Sequence, residues 1–240
     1  DNDGGTGSAG VVIPVANRAP QNVDAGASQT VDEGDLVSLS AQFTDPGSDD
    51  THTFLWEVAA SNGLSIAGGT GKEFSFTVAD SGDYIVSLTV EDDDGGSKTD
   101  TVVVSAENVA PTVDLGPDFS VTEGDPVDLL PAVFDPAGVN DPITYVWEVT
   151  SSNTQSVPGG SDAGLDFTPS DNGTYTVTLT VTDDDGATGS DTLVVTASNA
   201  DPEVTASGNL ALNEGGSFDL TGSFNDPGTD FWTVTVDYGD

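Results

Sequence analysis

Carboxylates are the reactive groups that this sequence offers in quantity. The 240 residues include 33 Asp and 9 Glu against Arg18, Lys72 and Lys98, which gives a formal net charge of −39. Asp favours turns and supplies a short, stiff oxygen ligand for hard cations, whereas Glu is the better helix former. Such self-repulsion destabilises a compact state unless cations offset it. The excess of Asp therefore predicts acidic loops and bound cations.

Other catalytic side chains are too few to form a repeated active site. The sequence has no Cys, and its one His, His52, has Ile143 as its counterpart one repeat later. Nucleophilic triads and His-based metal centres are therefore not expected. Paired carboxylates can cleave glycosides, but these acids lie in turn loops with no evident cleft. The sequence predicts a protein that is not an enzyme.

The scarcity of Lys and Arg argues against a nucleic-acid partner, and no apolar run reaches the length of a membrane span.

The acidic loops recur because the sequence repeats with a spacing of 91 residues. SGDYIVSLTVEDDDGG at 81–96 matches NGTYTVTLTVTDDDGA at 172–187, and VDEGDLVSLSAQFTDPGSDD at 31–50 matches LNEGGSFDLTGSFNDPGTD at 212–230. Tandem repeats of this length indicate an array of similar modules. We expect a longer array, of which this chain contains the last strand of a preceding repeat at 1–16, whole modules at 17–107 and 108–198, and the N-terminal part of a third at 199–240.

Each module is predicted to consist of seven short strands. Turn signals delimit these strands at 23–31, 36–43, 52–58, 64–67, 73–78, 83–91 and 99–106. The alternation of Tyr84, Val86, Leu88 and Val90 with smaller or polar residues is typical of a half-buried strand. The fold class is therefore all-β, as tandem immunoglobulin-like β-sandwiches in a linear array.

Aromatic residues occupy the places that such sandwiches reserve for their cores. Trp56 and Trp147 fall in the third strand, and Tyr84 and Tyr175 follow a glycine turn at the start of the sixth. These positions predict core tryptophans and tyrosine corners. In the third copy, Val236 or Tyr238 takes the tryptophan position.

The order of these motifs resembles the PKD (polycystic kidney disease) domain family. The pattern G-x-Y-x-V-x-L-x-V-x-D-D-D-G occurs at 82–95 and 173–186, with an E-G turn, an F-x-D-P-G loop and a core Trp. The copies depart from the family's W-D-F-G-D-G motif, since Trp56 and Trp147 are followed by Glu-Val. The resemblance covers essentially the whole chain and implies a bacterial or archaeal extracellular protein.

Sandwich topology brings several acidic loops to each end of a module. At the middle junction it gathers Asn108, Asp135, Asn140, Asp141, Asp183, Asp184 and Asp185 from one module, and Asp32, Glu33, Asp80, Asp83 and Glu107 from the other. Oxygen ligands at this density suit Ca²⁺, which takes six to eight of them. The repeat adds Asp92, Asp94 and Glu123 as equivalents of Asp183, Asp185 and Glu33.

The resemblance adds a ligand set, because similar modules bind calcium through a linker Asn and acids of the second-to-third loop. It implies three groups: Asn17 with Asp45, Asp49 and Asp50; Asn108 with Asp135, Asn140 and Asp141; and Asn199 with Asp226 and Asp230. The alternative is that these acids are solvated turn residues or a general adaptation to high salt.

The sequence favours a non-catalytic structural or adhesive role outside the cell or at its surface. Calcium would rigidify a rod of modules that forms a stalk, filament or surface layer, with further copies of the chain or a cell-surface ligand as partners. The alternative is an ancillary polysaccharide-binding module of a secreted hydrolase. Trp232, beside Phe231, is the Trp without a core assignment that could serve this second role.

Overall fold

The structure is a computed structural model that describes residues 6, 8–206, 214–217, 219 and 221–235. It divides into two compact units, 1–108 and 109–240, and each is considered by itself. The described residues form eighteen strands and one 3-10 turn. None of their helices has the length and apolar character needed to cross a membrane.

The first unit contains eight strands in two layers. They are β1 Gln21–Asp24, β2 Gln29–Asp32, β3 Leu36–Ser40, β4 Gln42–Thr44, β5 His52–Ala60, β6 Glu73–Thr77, β7 Gly82–Asp92 and β8 Ser97–Glu107. One layer is a four-stranded sheet in the order β2-β8-β7-β5, and the other contains the antiparallel pairs β1-β4 and β3-β6. The layers bury one core, in which Trp56, Val86 and Leu88 meet Val37 and Phe76. This arrangement is the predicted sandwich.

The second unit repeats this architecture and extends it. Its strands are β9 Thr112–Asp114, β10 Phe119–Thr122, β11 Val127–Leu129, β12 Ala132–Phe134, β13 Thr144–Ser151, β14 Leu165–Phe167, β15 Gly173–Thr182, β16 Thr188–Ser198, β17 Glu203–Ala206 and β18 Gly222–Asn225, with the 3-10 turn at Gly138–Asn140. The four-stranded sheet has the order β10-β16-β15-β13, and β9-β12 and β11-β14 form the other layer. An antiparallel pair, β17 and β18, follows.

The predicted core aromatics are confirmed in both units. Trp56 and Trp147 are buried, and their indole N–H groups donate to the carbonyls of Gly71 and Asp162. A buried Trp needs such an acceptor because an unpaired indole N–H would be costly away from water.

The tyrosine corners are confirmed as well. The hydroxyl of Tyr84 donates to the carbonyl of Asp80 at 2.7 Å, and that of Tyr175 donates to the carbonyl of Asp171 at 2.8 Å. Each bond returns to the chain four residues upstream and fixes the start of the long central strand, β7 or β15.

Two predicted strands are each divided in the structure. The strand predicted at 23–31 is β1 and β2, which join different layers because Gly26, at φ +107°, turns the chain between them. β2 then pairs in parallel with β8, whereas β1 pairs with β4. The strand predicted at 36–43 is interrupted at Ala41.

The prediction of a strand at 64–67 is wrong. These residues form no strand, and just after them Gly69 makes one isolated bridge to β5, in which Trp56 and Gly69 exchange backbone hydrogen bonds. The backbones approach so closely here that a Cβ added to Gly68 would lie 2.3 Å from the carbonyl oxygen of Trp56. Close approach at the glycine pair thus replaces a regular ladder.

Some predictions fall at the ends of the chain. Residues 8–20 form no strand, and Val11, Val12 and Ile13 are exposed, so the assignment of 1–16 to a preceding repeat stays a prediction. Residues 1–5 and the two candidates for the third core position, Val236 and Tyr238, lie outside the described residues.

Candidate metal sites

The first acidic group lies at one end of the first sandwich. Asp45 follows β4, Asp50 precedes β5 and Asp92 ends β7, and one carboxylate oxygen from each lies within 4.8 Å of the others. The antiparallel register that pairs His52 with Asp92 brings these strand ends together. The amide of Asn17 donates to both oxygens of Asp92 at 3.0 Å, which ties the preceding linker to the group.

The carboxylates of this group differ in their electrostatic environments. Burial, followed by the charge of Asp45, raises the pKa of Asp50 above its ordinary value. A hydrogen bond from His52, joined by one from the backbone of Gly47, lowers the pKa of Asp45. Acids held this close repel one another, and a cation between them would relieve that repulsion.

The second module repeats this arrangement. Oxygens of Asp135 and Asp141 lie within 4.8 Å of each other, and both residues are buried. Their Oδ1 atoms accept hydrogen bonds from the backbone N–H groups of Ala137 and Asp184, whereas their Oδ2 atoms accept none from the described residues. Asp183, the repeat equivalent of Asp92, is also buried and accepts a bond from the N–H of Ala187.

Asp141 is the most strongly perturbed acid of the second module. Burial is the largest cause that raises its pKa to about 7, and the nearby Asp184, Asp135 and Asp183 contribute further. A buried carboxyl with this pKa is poised to exchange its proton for a cation at neutral pH.

A third group, within the second unit, combines acids from two modules. Glu123 lies in the turn between β10 and β11, whereas Asp226 and Asp230 follow β18 in the next module. One oxygen from each lies within 4.8 Å of the others. Glu123 is 2% exposed, and its Oε1 accepts a hydrogen bond from the N–H of Ala200 in the linker. Neither Glu123 Oε2 nor Asp230 Oδ2, both buried, accepts a hydrogen bond from the described residues.

Glycines allow the two modules to approach at this third group. A Cβ added to Gly124 would lie 3.0 Å from the ring of Pro227, and one added to Gly228 would lie 2.9 Å from Glu123 Oε1. A further contact is the hydrogen bond from the hydroxyl of Thr229 to Asp171 Oδ2 at 2.6 Å. The Glu-Gly turn and the Asp-Pro-Gly loop are therefore fitted to each other.

The other predicted ligands have different environments. Asp49, Asp94 and Asp185 are exposed. The amides of Asn140 and Asn199 donate to the carbonyls of Ala137 and Ala200. Glu33 is buried at the turn equivalent to that of Glu123, and Asn108 is half-buried. The metal-binding role of all seventeen residues stays a prediction.

Sequence reasoning missed two ring donors that contact these groups. His52 Nε2 lies 3.0 Å from Asp45 Oδ2, and the indole N–H of Trp232 donates to Asp226 Oδ2 at 2.9 Å. The sequence signal for them is an aromatic residue with a ring N–H, six or seven positions after the Asp of each Asp-Pro-Gly loop.

Carboxylates and carbonyls are the ligands of hard cations. Three carboxylates can supply up to six oxygens if each is bidentate, and backbone carbonyls or water can complete a shell of six to eight. Such a set suits Ca²⁺ better than Mg²⁺, which requires a tight octahedron and retains several waters.

Comparison with known proteins agrees with the repeat and the fold. The PKD domain family matches residues 17–106, and the family of K319L-like PKD domains matches residues 116–197. No curated protein sequence matches the chain.

Several solved structures are similar to the chain at low identity. The insect immune protein hemolin is 19% identical with a TM-score of 0.39, over 75% of this chain and 46% of that one. Domains 3–5 of Drosophila OTK are 13% identical with a TM-score of 0.36, over 83% and 72%. The fibronectin(III)-like modules of Clostridium thermocellum CbhA are 16% identical with a TM-score of 0.29, over 73% and 93%. At these TM-scores the similarities carry no argument about function. The two family matches, one after the other, show that the chain belongs to the PKD domain family and carries two of its domains in tandem.

Proposed function

We propose that this chain is a calcium-stiffened spacer in an extracellular structural or adhesive protein. PKD domains are typically non-catalytic modules and are commonly extracellular. Because modules in tandem contact only their neighbours, the mechanics of such a protein depend on its junctions. Calcium bound at a junction would convert a mobile linker into a stiff one and so extend the array as a stalk, filament or layer.

The observation that carries this proposal is the third group. Glu123 comes from one module and Asp226 and Asp230 from the next, so a cation that binds all three joins the two modules directly. A buried carboxylate oxygen without a hydrogen bond is costly, and a cation would satisfy it. In the sequence, the repeat counterparts of Glu123, Asp226 and Asp230 are Glu33, Asp135 and Asp141.

Calcium binding should appear first as a gain in thermal stability. Extracellular calcium modules bind with dissociation constants of about 0.1–1 mM. At a calcium concentration about 100 times the dissociation constant, one site adds about 2.7 kcal/mol to the free energy of unfolding. Calorimetry of the full chain with EDTA or with calcium should therefore show a higher melting temperature with calcium. Small-angle scattering should show a narrower distribution of molecular dimensions with calcium than with EDTA.

The variant that isolates the third group is Glu123→Gln, which removes the charge and keeps the shape. Loss of a group that only supports a ligand already weakens metal binding by about 10- to 100-fold, so loss of this carboxylate should weaken the site at least as much. Glu148→Gln is the matched control, because Glu148 is exposed on β13. If calcium stabilises Glu123→Gln as much as the unmodified chain, the proposal is wrong.

The alternative role in polysaccharide binding depends on Trp232 as a free aromatic platform. Trp232 is 44% exposed, but its indole N–H is engaged by Asp226 and its ring packs on Phe224. No contact among the described residues favours this alternative over the junction role.

A further inference from the structure

An aromatic pair accompanies the Asp-Pro-Gly loop in the first and third modules. Phe43 and His52 have ring centroids 4.6 Å apart at 55°, and Phe224 and Trp232 have centroids 4.7 Å apart at 54°. Each Phe stands two residues before the loop aspartate, Asp45 or Asp226. The two pairs are therefore structural equivalents, although one contains an imidazole and the other an indole.

In both modules the second ring donates a hydrogen bond to the aspartate. Trp232 Nε1 lies 2.9 Å from Asp226 Oδ2, and His52 Nε2 lies 3.0 Å from Asp45 Oδ2. An indole nitrogen can only donate and an ionised carboxylate can only accept, so His52 carries its proton on Nε2 in this contact.

The opposite oxygen of each aspartate is also held. Asp45 Oδ1 accepts from the N–H of Gly47 at 2.8 Å, and Asp226 Oδ1 accepts from the N–H of Gly228 at 3.1 Å. With a fixed donor on each side, the carboxylate plane cannot rotate freely. Each oxygen keeps a second lone pair for a cation.

The second module lacks the ring donor. Ile143 stands at the counterpart of His52 and packs against the hydrophobic core. Asp135 retains its bond from the backbone N–H of Ala137, but its Oδ2 accepts none from the described residues. The ring is thus an addition to the loop and not a requirement for its fold.

We propose that His52 and Trp232 are positioning residues for the cation ligands Asp45 and Asp226, and that the two rings are interchangeable in this role. The inference rests on the proposed calcium function. A ligand fixed by a second hydrogen bond loses less freedom when it binds the ion, and such partners commonly change metal affinity by about 10- to 100-fold. The same geometry gives Trp232 a reason to be aromatic that does not involve sugar.

The test compares Trp232→Phe, which removes the donor, with Trp232→His, which restores it as in the first module. Calcium is titrated into the ¹⁵N-labelled full chain, and the amide signal of Gly228 reports on the site because that amide donates to Asp226. Trp232→Phe should weaken binding at Gly228 by about 10- to 100-fold. Trp232→His should recover most of the loss, and the amide of Gly47 should titrate unchanged in both variants.

A purely structural role predicts a different pattern. The melting temperature in EDTA would fall while the calcium affinity at Gly228 stayed constant, and that result overturns the inference. An equal loss in Trp232→Phe and Trp232→His also overturns it. If Gly228 does not respond to calcium in the unmodified chain, the proposed function fails instead.

The first module supplies a second test. His52→Phe should weaken calcium binding reported by the amide of Gly47, and His52→Trp should preserve it. This pair decides the question if Trp232→Phe prevents folding around β17 and β18, and unchanged affinity in His52→Phe contradicts the proposal.

Discussion

At the scale of single residues, Asp141 shows how the fold holds a carboxyl group at a position where its charge is unfavourable. It is fully buried, and its one hydrogen bond from the backbone comes from Asp184. Burial raises its pKa from the ordinary 3.8 to about 7. The folded protein therefore binds a proton there under conditions in which the unfolded chain has released it.

This shift predicts the pH dependence of the metal-free protein. Because the folded pKa lies above the unfolded one, the stabilisation is complete below pH of about 4 and is lost as the pH rises through about 7. The melting temperature in EDTA should fall across this range, and Asp141→Asn should flatten the fall. Glu148→Gln, which removes an exposed charge, serves as control. If the melting temperatures of Asp141→Asn and the unmodified chain fall equally with pH, Asp141 is not the group responsible.

At the scale of elements, a glycine pair lets an irregular segment lie against β13. The carbonyl of Gly160 accepts a hydrogen bond from the backbone N–H of Trp147. A Cβ added to Gly159 would lie 2.2 Å from the carbonyl oxygen of Trp147. The first module has the same approach at Gly68. This contact covers part of the edge of β13 without a ladder.

The glycine pair supplies a matched test of this close approach. Gly159→Ala should lower the free energy of unfolding by about 1–3 kcal/mol, because the backbone must move to admit the methyl group. Gly160→Ala should change it little, since its Cβ would meet Trp147 and Leu165 at 3.7 and 3.8 Å, an ordinary contact. Denaturant unfolding measures both, and equal effects of the two substitutions would exclude the steric explanation.

Long alternating strands were predictable from the sequence, whereas short irregular ones were not. Tyr84, Val86, Leu88 and Val90 alternate with outward residues, and β7 is one of the longest strands. At 64–67 the alternation covers only four residues, which form no strand, and the chain there is positioned by Gly68 and Gly69 through contacts distant in sequence. Local patterns identify strands that have two different faces.

The candidate sites were predictable as residue types in loops but not as geometry. The repeat pointed to Glu123, Asp226 and Asp230, since acids recur in the same turns. His52 and Trp232 were missed because a repeat search compares identities, and these two residues share only an aromatic ring with an N–H group. Exposed acids such as Asp94 cannot be distinguished from buried ones such as Asp92 by composition.

At the scale of the whole molecule, the dominant quantity is the net charge of −39. Three basic residues cannot neutralise 42 acids. Mobile ions reduce this repulsion at a distance, since the screening length falls from about 10 Å at 0.1 M salt to about 3 Å at 1 M. A specifically bound cation would act at the acidic groups themselves.

Screening by mobile ions and specific binding of cations can be separated, because the two effects require very different salt concentrations. In EDTA, raising NaCl from 0.1 to 1 M should raise the melting temperature, because screening weakens repulsion among all the acids. Addition of 5 mM calcium chloride changes the ionic strength by only about 15 mM, so a large rise at that concentration requires specific binding. Magnesium chloride at the same concentration is the control and should have the smaller effect, because Mg²⁺ requires a tight octahedron and retains several of its waters. Equal rises in melting temperature with both salts would mean that divalent cations surround the acids only as a diffuse ionic atmosphere. The junction groups would then have no special part in stability.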